Sequence, residues 1–280
     1  MAEIEQSLAV LLALPGVADA IESAREACTR LRWHEALRRR TPEAAAESRV
    51  RGAQASGALE GVDLPVDRVR DLVRGAVPWP QPPDAGLLVL RGAVRATAET
   101  ERVRAVVLPA PLQAMARLHV AAMSGVLPAG QVGRPRAAGE TSLELVDLGP
   151  APPPAAVSGR LAVLSSVLAR PGAAPAPLVG AILHGEIAST RPFVRGNGVV
   201  ARAMERAFVQ ASGLDPTGVA VPEVGHRAGG GPAYLGALTA YATGSGPGVA
   251  LWLTHCAEAM VAAAAEGTRV ADAVLAGRLR

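Results

Sequence analysis

Residues 191–202 read Arg191-Pro192-Phe193-Val194-Arg195-Gly196-Asn197-Gly198-Val199-Val200-Ala201-Arg202, and the fold turns on how this stretch is read. Its centre, Gly196-Asn197-Gly198, sits where a loop meets a helix predicted to start near Val199. A backbone freed by two glycines can turn its N–H groups toward one point. The first-turn N–H groups of the following helix lack internal partners and point the same way. Together they make a cradle for an anion such as a phosphate. Arg202, one helical turn further on, adds a positive charge.

Around this stretch the composition favours a helical protein. The chain has 280 residues, of which 50% are hydrophobic but only 2% aromatic, so its core must be built from Ala, Val and Leu. Every one of the 28 basic residues is Arg. They are scattered among 25 acids without a basic stripe, which argues against a nucleic-acid partner. Cys28 and Cys256 are too few and too far apart for a disulfide framework or a cysteine metal site. The apolar run Leu8–Leu14 follows Glu3 and Glu5 rather than basic residues, and Pro15 interrupts it, so it does not read as a signal sequence. No apolar run is expected to span a bilayer. A cytoplasmic protein without a membrane partner is the expectation.

Proline and glycine divide the chain into Ala-rich helical segments. An N-terminal helical region (1–85) ends in the proline-rich loop Trp79–Gly86, which cannot be helix because prolines remove donors and hold their neighbours extended. A core (86–230) follows, then a C-terminal helical extension (231–280). Within the core, helices are predicted over Pro109–Met123, Pro154 to about Ala169, Pro177–Ser189 and Val199–Ala211. Gly130–Arg136 and Leu143–Asp147 form the β candidate, a short hairpin of alternating apolar and polar residues.

The 191–202 stretch resembles the signature of the Fic (Fido) domain family: His-Pro-Phe, any residue, Asp or Glu, Gly-Asn-Gly-Arg, two residues, Arg. Pro192, Phe193, Gly196, Asn197, Gly198 and Arg202 match at the right spacing. A second element, Ser56-Gly57-Ala58-Leu59-Glu60-Gly61, is similar to the family's inhibitory pattern. The resemblance implies a mainly α, Fic-like helical bundle with a short β-hairpin flap, carried here by Val132, Gly133, Arg134 and the residues to Val146. It implies that Glu60, beside Ser56, pairs with Arg202 and blocks a nucleotide phosphate. An Arg fork binds carboxylate or phosphate, so the two compete. Homodimers are common in the family and are implied here as well.

Three positions depart from the signature. Active relatives use the His as general base while AMP passes from ATP to a protein hydroxyl. Arg191 stands in its place, and a guanidinium with pKa above about 12 cannot act as a base near neutrality. Arg195 replaces the acid that holds Mg²⁺, and its charge would repel the metal; it could pair with a phosphate directly. Val199 replaces the first signature Arg. His184, seven residues before Arg191, resembles a packing histidine of the family; the places of His119, His226 and His255 are not fixed by sequence. The expectation is an impaired adenylyltransferase relative that binds ATP or another nucleotide without Mg²⁺ and regulates an unidentified target protein. Two alternatives stay open: an active transferase with altered catalytic residues, and an interaction scaffold with a vestigial pocket.

Overall fold

The Ala- and Leu-rich segments become helices wherever proline releases them. The computed structural model describes residues 2–144 and 148–278. Among these it has twelve α-helices: α1 (Ala2–Leu12), α2 (Val17–Arg32), α3 (Thr41–Leu59), α4 (Val66–Arg74), α5 (Ala85–Val103), α6 (Pro111–Met123), α7 (Pro154–Leu168), α8 (Ala176–Thr190), α9 (Asn197–Ala211), α10 (Pro222–Ala228), α11 (Gly231–Ala242) and α12 (Gly246–Leu275). Helices α3, α6, α7, α8, α10, α11 and α12 carry Pro in the first turn, where its missing N–H is not needed. Asp84 closes the proline-rich loop by accepting the Leu87 N–H at 2.7 Å, which caps α5.

Helices α8 and α9 form the centre. They pack on each other, and almost every residue of both is buried. Helix α8 is apolar on almost every side and so must lie inside the bundle, whereas α9 is buried together with the paired charges of Arg202, Glu205 and Arg206. Helices α5 and α6 cover α9, while α12, α11 and α7 cover α8. One hydrophobic cluster runs from Leu8 to Val274, so α2 and α12, from opposite ends of the chain, share it. Trp252 is its largest fully buried side chain, and its indole N–H donates to the Ala181 carbonyl at 2.9 Å.

Two expectations need amendment. By length and composition α12 could cross a membrane, contrary to the sequence reading. In this fold it packs against α2, α3, α8, α10 and α11 and carries Glu266, buried and paired with Arg51 and Arg269. The expected hairpin is also unpaired among the described residues: 132–144 contain no strand, and Leu145, Val146 and Asp147 lie outside those residues. The physical reason is a tight local turn. Arg134 pairs with Glu140 at 2.6 Å and Glu140 accepts the Ala137 N–H, so the segment's outward donors go elsewhere. The Arg136 N–H donates to the Pro192 carbonyl at 2.7 Å and the Leu143 N–H to the Val194 carbonyl at 2.6 Å. The segment is thereby fastened to the signature loop.

With so few aromatics, the core should be unusually sensitive to loss of Trp252. Trp252→Ala is expected to cost about 3–5 kcal/mol of unfolding free energy, read as a lower urea midpoint with unchanged slope. A loss below about 1 kcal/mol would contradict this packing.

Candidate functional site

The signature loop takes its shape from its own sequence. Helix α8 ends at Thr190, and Arg191 adopts the left-handed conformation (φ 48, ψ 64). A residue before proline is excluded from the helical region, and a non-glycine residue with positive φ is costly, so the surroundings must hold it there. The Arg136 guanidinium does so by donating to the Arg191 carbonyl at 2.7 Å. Further along, Asn197 ties the loop closed: its Oδ1 accepts the Phe193 N–H at 2.8 Å and its Nδ2 donates to the Phe193 carbonyl at 2.9 Å. Gly196, at φ 85, supplies the left-handed turn that admits α9. Helix α9 therefore begins at Asn197, two residues earlier than the sequence suggests.

From the mouth of this loop a cavity of about 320 Å³ opens, within the range of small-molecule sites. Its walls are mostly apolar, with Leu59, Leu148, Leu235 and Leu238 among them; Glu60, Glu144, Arg202 and Tyr234 supply the polar groups. Gly198 forms part of the wall, and a Cβ there would meet the Glu60 carboxylate at 2.5 Å. Another cavity of about 370 Å³ lies among α3, α4 and α5, but Arg40, Arg49 and Arg70 lining it are paired with Glu43, Glu101 and Glu47. It is a groove of compensated charges.

Arg202 is 1% exposed and every arm of its guanidinium is engaged. Nε donates to Ser56 Oγ at 3.0 Å, and Nη2 to the Ser56 carbonyl at 3.2 Å and to Glu60 Oε1 at 2.7 Å. Nη1 reaches the Tyr234 hydroxyl at 3.4 Å. Burial opposes the Arg202 charge, but Tyr234 and Glu60 outweigh it and raise its pKa above the usual value. Burial also pushes Tyr234 up to about 12, so it remains a neutral phenol.

A second carboxylate enters from the 132–144 segment. The Asn197 backbone N–H donates to Glu144 Oε1 at 3.1 Å, and Asn197 Nδ2 donates to the same oxygen. Burial raises the Glu144 pKa, and the nearby Glu60 charge raises it further.

Behind Arg202 lies a polar chain that the sequence did not reveal. Glu205 Oε2 accepts from His184 Nδ1 at 2.8 Å and from His226 Nε2 at 2.7 Å, with all three residues buried. His184 Nε2 is left to accept the Tyr234 hydroxyl at 2.9 Å, which assigns a neutral imidazole. Burial first, and the neighbouring His226 second, lower His184 to about 4. Burial alone would raise the Glu205 carboxyl, but its contacts with His226 and His184 outweigh that and hold it below the usual range. The three ligand atoms lie within 4.8 Å of one another, close enough to surround a cation. In the hydrogen-bonded arrangement the bridging positions between Glu205 and both imidazoles are filled by protons.

The other sequence-selected residues are distributed unevenly. Arg191 is buried and its Nη1 donates to the Gly149 carbonyl at 2.7 Å. Arg195 lies outside the cavity wall; its Nε is buried without a hydrogen-bond partner among the described residues, and its carbonyl is in contact with His119 Nε2 at 3.0 Å. Val132, Gly133 and Arg134 do not line the cavity either. The Gly133 N–H donates to His119 Nδ1 at 2.8 Å, and the His119 ring stacks on Phe193 at 3.8 Å between centroids. Burial lowers His119 to about 4, so it is neutral and donates from Nε2. Sequence reasoning missed Glu144, Tyr234 and Glu205. Glu144 stood only as one polar position in an alternating run, and no local motif marks the other two.

No protein-family model matches the chain, and no curated protein matches it. Solved structures do. A Fic family protein from Desulfovibrio desulfuricans G20 matches with a TM-score of 0.71 and 22% identity, over 95% of this chain and 76% of that one. Fic-1 from C. elegans (residues 134–508) matches with a TM-score of 0.67 and 18% identity, over 93% and 73% of the two chains. A Fic domain containing signaling protein from Bacteroides thetaiotaomicron matches with a TM-score of 0.63 and 12% identity, over 90% and 98%. At these identities the likeness is one of fold: the chain has the all-α Fic fold.

The buried imidazoles give the fold an acid limit. His184 and His119 sit near 4 in the fold, against about 6.5 in an unfolded chain. The unfolded chain therefore takes up protons first as pH falls. This contribution to stability is complete above about pH 6.5 and is lost progressively down to about pH 4. The melting temperature should drop by about 5–10 °C between pH 7 and pH 5 in thermal scans. A flat profile would show that these histidines are not buried as neutral groups.

Proposed function

We propose that this chain is a Fic-domain protein whose cavity binds a nucleotide, ATP or a relative, with its phosphates in the Asn197–Gly198 cradle, and that it acts on a target protein as a regulator rather than by AMP transfer. The observation that carries this reading is the Glu60–Arg202 ion pair at the cavity wall, 2.7 Å long and next to the helix N-terminus. A buried guanidinium beside the first-turn N–H groups of α9 is suited to phosphate oxygens. Glu60 holds the place that such an oxygen would take, which makes the site self-inhibited. The apolar walls suit a nucleobase or a similar flat group.

Loss of transfer chemistry rests on position 191. A guanidinium stays protonated near neutrality, so it cannot take a proton from an attacking hydroxyl. The Arg191 side chain is directed to the Gly149 carbonyl. Arg195 presents only donors and a positive charge, so position 195 does not fit a Mg²⁺ ligand.

Calorimetric titration with ATP, with and without Mg²⁺, tests the reading. Binding is expected to persist without Mg²⁺, and Glu60→Gly is expected to tighten it at least tenfold. Failure of both proteins to bind any nucleotide would leave only a scaffold with a vestigial pocket. Transfer of label from α-labelled ATP to any protein would overturn the loss of catalysis.

A further inference from the structure

Glu60 is not the only carboxylate in the cavity. We infer that Glu144 is a second internal carboxyl group seated directly in the cradle at the start of α9, and that a phosphate must displace it as well as Glu60. This rests on the ligand reading above and extends it from one inhibitory contact to two of different origin.

The contacts divide the site between the two carboxylates. Glu60, at the end of α3, takes the side-chain half of the anion site, the Arg202 guanidinium. Glu144 takes the backbone half: the Asn197 N–H at 3.1 Å, supplemented by Asn197 Nδ2. The Asn197 N–H is a donor of the kind that a helix N-terminus offers an anion. Both glutamates line the same cavity, close enough that the Glu60 charge disfavours ionisation of Glu144. Burial and the Glu60 charge both act against ionisation of Glu144, so its hold on the cradle rests on the two Asn197 donors.

The placement of Glu144 follows from the backbone beside it. The Leu143 N–H is fastened to the Val194 carbonyl at 2.6 Å, and the Arg136 N–H to the Pro192 carbonyl at 2.7 Å. These bonds run to the signature loop itself, so Glu144 is delivered to the residue that begins α9. Ligand entry and release of the 136–144 segment from the loop are thereby coupled. The two inhibitory groups come from opposite sides, one from a rigid helix end and one from an irregular segment. A partner that engages residues 136–144 would act on Glu144 without touching Glu60.

Hydrogen–deuterium exchange on the full chain reads the seat without any ligand. Glu144→Ala should speed exchange in peptides covering 193–199 at least tenfold while leaving peptides of α3 unchanged. Glu60→Gly should not reproduce that pattern. ATP titration then reads the displacement: Glu60→Gly/Glu144→Ala should bind at least tenfold tighter than Glu60→Gly alone. Unchanged exchange at 193–199 in Glu144→Ala, or equal affinity of the single and double variants, would overturn the inference. Faster exchange with no ATP binding by any variant would support the seat and overturn the nucleotide reading. Glu144→Gln, which keeps the shape without the charge, guards against a folding artefact and should bind ATP more tightly than the parent chain.

Discussion

Arg202 carries a full positive charge into the middle of an alanine-rich bundle, where few side chains can solvate it. Its partners come from two places in the chain: Ser56 and Glu60 at the C-terminal end of α3, and Tyr234 on α11. Removing one partner of a buried ion pair typically costs about 3–5 kcal/mol, because the remaining charge is stranded. Arg202 therefore fixes how α3 and α11 sit against α9. The same requirement keeps Glu60 at the cavity wall, where it holds the guanidinium charge.

The other charges of α9 follow the same logic at greater depth. Arg206, one turn beyond Arg202, is 1% exposed and forms a bidentate pair with Glu223 at 2.9 and 2.8 Å, with Ser48 completing its donors. Glu205 is held by His184 and His226. Three consecutive elements of the fold, α8, α9 and α10, are thus joined through polar contacts inside an otherwise apolar core. The Tyr234 hydroxyl touches both Arg202 and His184, so the cavity and the histidine cluster belong to one hydrogen-bonded network. Such a network specifies a single packing more strictly than alanine and leucine could alone.

The helices were legible because proline and glycine punctuate them and because the first-turn prolines mark their starts. The turn into α9 was legible too, since Gly196-Asn197-Gly198 takes its shape from adjacent residues. Glu60 and Arg202 could be named together only through resemblance to a known pattern, as they are 142 residues apart. Glu144 and Tyr234 had no such guide. A run of alternating residues between 143 and 147 suggested strand pairing, but the donors of this segment found the signature loop instead. Arg195 was expected to pair with a phosphate and Arg191 to replace the base, and the structure places both outside the cavity wall.

By itself the sequence determined the helical class, the loop that opens α9, and the chemistry unavailable at positions 191 and 195. Those properties follow from residue type and near-neighbour geometry. The tertiary structure alone decided which charges meet. It set Glu60 on Arg202, brought Glu144 to the Asn197 N–H, and closed His184, Glu205 and His226 around one oxygen. A buried charge takes whichever partner the packing of distant helices presents, and sequence separation carries no record of that packing.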